Sequence, residues 1–205
     1  LRDALRDFVD AGKPIIGICN GFQVLVKTGL LPGPAAGESP DFVQRGSLGL
    51  NDSGRYEDRW VTLEFDPNSP CIWTKGMTRM SCPVRHGEGK YIMPTPQALE
   101  ALSTTHQLTV RYVDPSTEVG TGLSDTALPY PLSPNGSMRN VAGICDATGL
   151  VFGLMPHPEA NYARWLHPDH TRGTAPIGKG DALDSWEGEG LQMFRNAVEY
   201  VKQNR

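Results

Sequence analysis

The chain has 205 residues, 39% hydrophobic and 20% charged, enough apolar mass for a core in one domain or in one domain with a long insertion. Nineteen Lys and Arg against 23 Asp and Glu leave a formal charge of −4 with no basic stripe, which argues against nucleic acid or an anionic membrane as partner. Cys19, Cys71, Cys82 and Cys145 form no C-x-x-C pair and read as free thiols, not as a disulfide framework or zinc knuckle.

No apolar run approaches the ~20 residues that span a bilayer, and no leader-like segment opens the chain, so a cytoplasmic setting is expected. Leu1, Leu5, Phe8 and Val9 recur at helical spacing until Gly12, and Ile15 to Ile18 reads as a buried strand. A strand apolar at consecutive positions is covered on both faces, which points to a parallel sheet with helices above and below. Phe22, Leu25 and Val26 return to helical period, so Cys19 falls at a strand-to-helix corner. Residues 34–60 are polar, and Val61, Leu63 and Phe65 then alternate as a half-exposed strand in a more antiparallel region. A short helix is expected from Pro96 to Leu102 and a strand through Leu108, Val110 and Tyr112. A long loop follows to Arg139. Val141–Cys145 and Leu150–Leu154 flank a Gly/Asp-type turn and read as a hairpin. Residues 160–186 read as loop, and Leu191, Phe194, Val198 and Val201 form the apolar stripe of a closing helix.

Gly17-Ile18-Cys19-Asn20-Gly21 is the cysteine counterpart of a G-x-S-x-G nucleophile elbow. The corner strains the backbone of Cys19, flanking glycines let neighbouring chain pass without Cβ clashes, and the helix N-terminus behind it favours a nucleophilic thiolate. The Asn20 N–H can donate to an oxyanion. At the end of the second apolar run, His157-Pro158-Glu159 supplies an imidazole to take the thiol proton and a carboxylate to orient it. His167-Pro168-Asp169-His170 has the residue types of a metal site, but two close histidines in a Gly/Pro-rich loop are read as no metal centre. Cys71, Cys82, Cys145 and His106 take no functional reading.

The joint pattern resembles the class I (triad) glutamine amidotransferases, specifically the glutaminase subunit or domain of phosphoribosylformylglycinamidine synthase. Gly17 to Gln23 with Gly29 to Gly33 resembles the nucleophile segment, and Arg85-His86-Gly87-Glu88-Gly89-Lys90-Tyr91 the A-H-G-E-G-R-[FY] block. Pro134 to Ser137 resembles the N-P-N-G-S block, and Met155 to Glu159 the M-P-H-P-E block. The resemblance implies one glutamine amidotransferase type 1 domain over residues 1–205, with a three-layer, mostly parallel, flavodoxin-like α/β sheet and flanking helices. It implies that Cys19 attacks the glutamine side-chain amide, that His157 passes the proton to departing ammonia, and that Glu159 holds His157. Gln23, His86, Gly87 and Glu88 would line the glutamine pocket.

By the same resemblance the ammonia serves formylglycinamide ribonucleotide amidation in purine biosynthesis. The partners implied are L-glutamine and a synthetase subunit or domain, with a small bridging subunit in some arrangements. No cofactor is expected in this chain, ATP and Mg belonging to the partner. Asn51 to Trp60 also resembles a family block, but as mixed charges before a strand it takes a surface-turn reading.

Two departures stand against the family pattern. The upstream strands and Gly-rich oxyanion loop are missing, so an N-terminally truncated, poor glutaminase is expected, and Ala160-Asn161 stands where Arg-Ala is usual. Residues 162–188 read as a subfamily insertion or partner surface. Rival readings are a papain-like peptidase, from the Cys-to-His interval; a γ-glutamyl hydrolase on the same elbow; and an inactive module that docks on a synthetase.

Overall fold

A computed structural model describes residues 2–34, 42–172 and 186–204. Helix α1 (Arg2–Asp10) packs Leu5 and Val9 inward and ends where the Gly12 N–H, at φ +67°, donates to Val9 O at 2.8 Å. Leu1, placed by its spacing on the same stripe, lies outside the described residues, as do 173–185 of the segment read as an insertion. Strand β1 (Ile15–Ile18) leads into α2 (Asn20–Lys27), as the periodicity predicts.

Beyond these come β2 (Ser47–Leu50), β3 (Glu57–Phe65), β4 (Arg79–His86), β5 (Glu88–Ile92), α3 (Pro96–Thr104) and β6 (Val110–Val113). The hairpin strands β7 (Val141–Cys145) and β8 (Val151–Leu154) and the closing helix α4 (Leu191–Gln203) complete the elements used below.

Six strands form one sheet in the order β1-β8-β7-β6-β3-β4, while β2 and β5 make a separate antiparallel ladder. On one face, Val61, Leu63, Met80, Cys82, Tyr112, Phe152 and Leu154 meet Met193 and Ala197 of α4. On the other, Val141, Val151 and Met155 meet Phe22, Leu25 and Val26 of α2, with Leu99 and Leu102 of α3 in the same cluster. The α/β class with three layers therefore stands. Within it the sheet is mixed, not mostly parallel: among the described residues β1 with β8 is the one parallel pairing. Parallel neighbours need a long crossover, and the short turn joining β7 to β8 permits only an antiparallel return.

Strand β1 also differs from its expected full burial. It lies at the end of the sheet with β8 as its one partner among the described residues, and Ile15, Ile16 and Ile18 are half-buried. At the opposite end β4 is the other edge strand, with Pro83 in its middle. Proline has no N–H to place in a ladder, so an edge is the position that tolerates it.

Candidate active site

The corner between β1 and α2 has the strain its sequence implies. Cys19 stands at φ 52°, ψ −105°, outside the ordinary regions for an L-residue, and its N–H is tied to Leu154 O at 2.9 Å, extending the β1–β8 ladder. Gly17 is required by packing. A Cβ there would lie 2.5 Å from Leu25 Cδ1 and 2.7 Å from the carbonyl carbon and oxygen of Gly21. Gly21 does not share this need, because a Cβ on it would meet nothing within 4 Å. The first rung of α2 runs from Gln23 N–H to Cys19 O at 3.1 Å. The Asn20 amide therefore precedes the helical ladder and faces outward from a positive helix end. Cys19 is partly exposed, unlike the buried thiols Cys71, Cys82 and Cys145.

His157 reaches this corner from the end of β8. Its N–H donates to Pro83 O at 2.8 Å, on the outer side of β4, and its Nδ1 meets Glu159 Oε1 at 2.5 Å. Nε2 is buried and makes no directed hydrogen bond. The largest influence on the ring is the Cys19 sulfur, followed by Glu159, and together they outweigh burial and hold the imidazole up at about 9. Burial pushes the Glu159 carboxyl up, but the hydrogen bond from His157 and the charges of His157 and Arg85 bring it below its ordinary value. The Cys19 thiol itself donates to Arg85 O at 3.7 Å, again on β4. Residues far apart in sequence thus converge on one strand edge: sulfur, imidazole and carboxylate, in the order that proton transfer from a thiol requires.

The four residues assigned by resemblance to the glutamine pocket divide between two places. Gln23 Nε2 donates to Glu88 O at 3.0 Å, which ties α2 to the 85–88 segment beside the sulfur. His86 is instead interred beneath that segment, 3% exposed, with Nδ1 bound to Asn51 Oδ1 at 3.0 Å. Burial, then the neighbouring positive charge of His157, push its imidazole down to about 4, so it is neutral at physiological pH. Gly87 O accepts from Asn51 N at 2.9 Å, and Asn51 Nδ2 donates to His86 O at 2.7 Å. Asn51 is buried, and the surface-turn reading of its block fails at this position. Its amide holds up the loop that faces the sulfur. Ser137 and Asn135, from the N-P-N-G-S-like block, brace the same loop through Gly89 O at 3.3 and 2.9 Å.

His167 is buried, between the short 3-10 turns Arg164–Leu166 and His170–Arg172. Its Nδ1 accepts from Asp169 N at 3.1 Å and its ring packs edge-on against Trp60. No group of three or more His, Cys, Asp or Glu able to hold a metal ion occurs among the described residues. A cavity of about 950 Å³ between α3 and residues 44–47 includes none of Cys19, His157 and Glu159 in its lining.

Sequence reasoning passed over Ser81, Pro83 and Glu189 and noted Asn161 only as a departure from the family pattern; all four shape this edge. The alternation of Met80, Cys82, Val84 and His86 carried the signal for β4, with Pro83 marking it as an edge.

Residues 1–201 match the model of the CobB/CobQ-like glutamine amidotransferase domain. The chain belongs to this family. Among similar amidotransferases is the phosphoribosylformylglycinamidine synthase subunit PurQ of Dehalococcoides mccartyi, 39% identical over 203 residues that span 99% of this chain and 69% of that protein. The PurQ proteins of Methanococcus maripaludis strain S2 and Archaeoglobus fulgidus are 38% and 37% identical, over 98% of this chain and 70% and 68% of theirs. A solved structure, PurLQS from Thermotoga maritima, superposes with a TM-score of 0.60 at 24% identity, over 98% of this chain and 68% of that one, and so shares the fold. Among the described residues, no helix of this amidotransferase is long and apolar enough to cross a membrane.

Proposed function

We propose that this chain is the glutaminase component of a phosphoribosylformylglycinamidine synthase. Its membership of the glutamine amidotransferase family and its identity to PurQ proteins support the activity. The observation that carries the chemistry is the meeting of Cys19, His157 and Glu159 at the outer side of β4.

The reaction begins from the pair in which the Cys19 proton resides on His157 Nε2, and the thiolate sulfur bonds to the side-chain carbonyl carbon of L-glutamine. Charge that develops on the carbonyl oxygen is met by the Asn20 N–H at the start of α2. The imidazolium, oriented by Glu159, returns its proton to the amide nitrogen. The C–N bond breaks, ammonia leaves and a γ-glutamyl thioester remains. Water, deprotonated by the same imidazole, attacks the thioester, and glutamate departs as the thiol is regenerated. Gln23 and the 85–88 segment form the wall on which glutamine binds. His86 acts from beneath that wall by fixing its shape.

Ammonia is consumed at the ATP- and Mg-dependent active site of a synthetase partner, where formylglycinamide ribonucleotide becomes formylglycinamidine ribonucleotide. The chain works in the cytoplasm and carries no metal or organic cofactor of its own. The deciding experiment measures glutamate release from glutamine with and without a synthetase subunit, for the unaltered chain and for Cys19→Ser. Turnover that depends on Cys19 supports the proposal; turnover unchanged by the substitution overturns it.

A further inference from the structure

The outward-facing backbone groups of β4 form a row at Ser81, Pro83 and Arg85. Arg85 O takes the Cys19 thiol and Pro83 O takes the His157 N–H. Ser81, the third, is fully engaged: its carbonyl accepts from Asn161 Nδ2 at 2.8 Å, and its N–H donates to Glu189 Oε2 at 3.0 Å. Asn161 lies at the end of the 3-10 turn Pro158–Asn161 that starts just after His157, and it is 2% exposed. Glu189 comes from a separate segment, the turn that precedes α4. That turn is fitted tightly to the first: Gly190 N donates to Asn161 O at 2.9 Å, and a Cβ on Gly190 would fall 2.0 Å from Pro158 O.

From this geometry we infer that Asn161 and Glu189 are positioning residues for His157. Together they clamp the turn carrying His157 and Glu159 to Ser81, four residues along the same strand from the carbonyl that meets the nucleophile. The His157 N–H to Pro83 O bond is by itself a single pivot. Two further bonds at Ser81 turn it into a fixed line, so the imidazole faces sulfur without searching. Among the described residues, the Asn161 amide and the half-buried Glu189 carboxylate show no side-chain hydrogen bond other than these to Ser81. The carboxylate is the costlier of the two, because burial raises its pKa to about 7. An amide at position 189 offers the same acceptor oxygen without that cost.

The inference rests on the thiol–imidazole pairing of the proposed function, and the test separates the two. The rate of Cys19 alkylation by iodoacetamide, followed against pH by mass spectrometry, reads the sulfur–imidazole pairing directly and needs no turnover. Glutaminase kcat and KM are measured in parallel, with thermal melts to register folding. Asn161→Ala and Glu189→Ala are expected to move the alkylation profile toward that of His157→Ala. They should lower kcat about 10- to 100-fold with KM for glutamine within about twofold, the range expected when a reacting group is displaced by around 1 Å. Glu189→Gln, which keeps the acceptor for Ser81 N–H, is expected to restore the profile and most of kcat. A wild-type alkylation profile in a folded Glu189→Ala protein, or no rescue by Glu189→Gln, overturns the clamp. A profile that shifts as expected in a chain with no glutaminase activity keeps the clamp and removes the proposed function.

Discussion

His157 Nδ1 and Glu159 Oε1 stand 2.5 Å apart, while the opposite ring nitrogen is turned toward a sulfur from the other end of the chain. The two partners raise the imidazole from its ordinary 6.5 to about 9, Cys19 supplying the largest single contribution and Glu159 the next. Removing the sulfur by Cys19→Ala and the carboxylate by Glu159→Gln should therefore each lower the His157 midpoint. Imidazole titration by NMR measures both, and an unchanged midpoint in either variant contradicts this pairing.

The sign for stability follows from the same shift. A group whose pKa is higher in the folded state binds protons on folding, so its stabilisation is complete below about 6.5 and is lost as pH rises through about 9. Chemical denaturation of the unaltered protein should show stability declining across that window. The decline should be smaller in Cys19→Ala. In the enzyme, kcat/KM for glutamine should fall on the alkaline side near 9, as the imidazolium that protonates leaving ammonia disappears.

Cys19→Ser should lower glutaminase turnover by about 10³-fold or more, because a hydroxyl is a far weaker nucleophile than a thiolate beside an imidazolium. The fold should be unaffected, as judged by an unchanged far-UV spectrum and melting point.

The two glycines around Cys19 should respond oppositely. Gly17→Ala drives a methyl into the backbone of Gly21 and the end of Leu25, and should cost about 1–3 kcal/mol of stability. Gly21→Ala places its methyl in open space on α2 and should be neutral or stabilising by about 0.5–1 kcal/mol, from helix propensity. Urea denaturation of the pair decides; equal losses would contradict the packing difference.

Glu189→Gln should stabilise the protein at pH 8 by about 1–3 kcal/mol and leave it unchanged below about 4.5. The folded carboxyl, raised to about 7 by burial, binds protons that the unfolded chain has already released. The native protein therefore loses stability between about 4.5 and 7 as pH rises. Denaturation at the two extremes tests the sign.

The elbow at Cys19 and the β7–β8 hairpin were legible because each carries a complete local signal, an apolar run and a Gly-bearing turn; α4 was legible as a helix from its 3.6-residue period, but the face it buries is that of Met193 and Ala197, and Val198 of the expected stripe is exposed. The β4 strand was not, although Met80, Cys82, Val84 and His86 alternate. Pro83 interrupts that pattern, and only the tertiary position at the end of the sheet makes the proline harmless. His86, placed in the glutamine pocket by resemblance, lies buried instead, because Asn51, 35 residues away in sequence, pairs with its Nδ1. Glu189 left no mark in the sequence and Asn161 only its departure from the family pattern, since each acts by pairing with a backbone group of Ser81 that is presented only once the sheet has formed.

Beyond its part in the chemistry, the occupation of β4 bears on how the molecule behaves in a crowded solution. An uncovered terminal strand offers rungs on which a foreign extended segment can grow. Here Ser81 has given up both of its polar groups, Pro83 has no hydrogen to offer, and its oxygen is taken by His157. Non-native strand addition is thereby denied along this edge of the sheet.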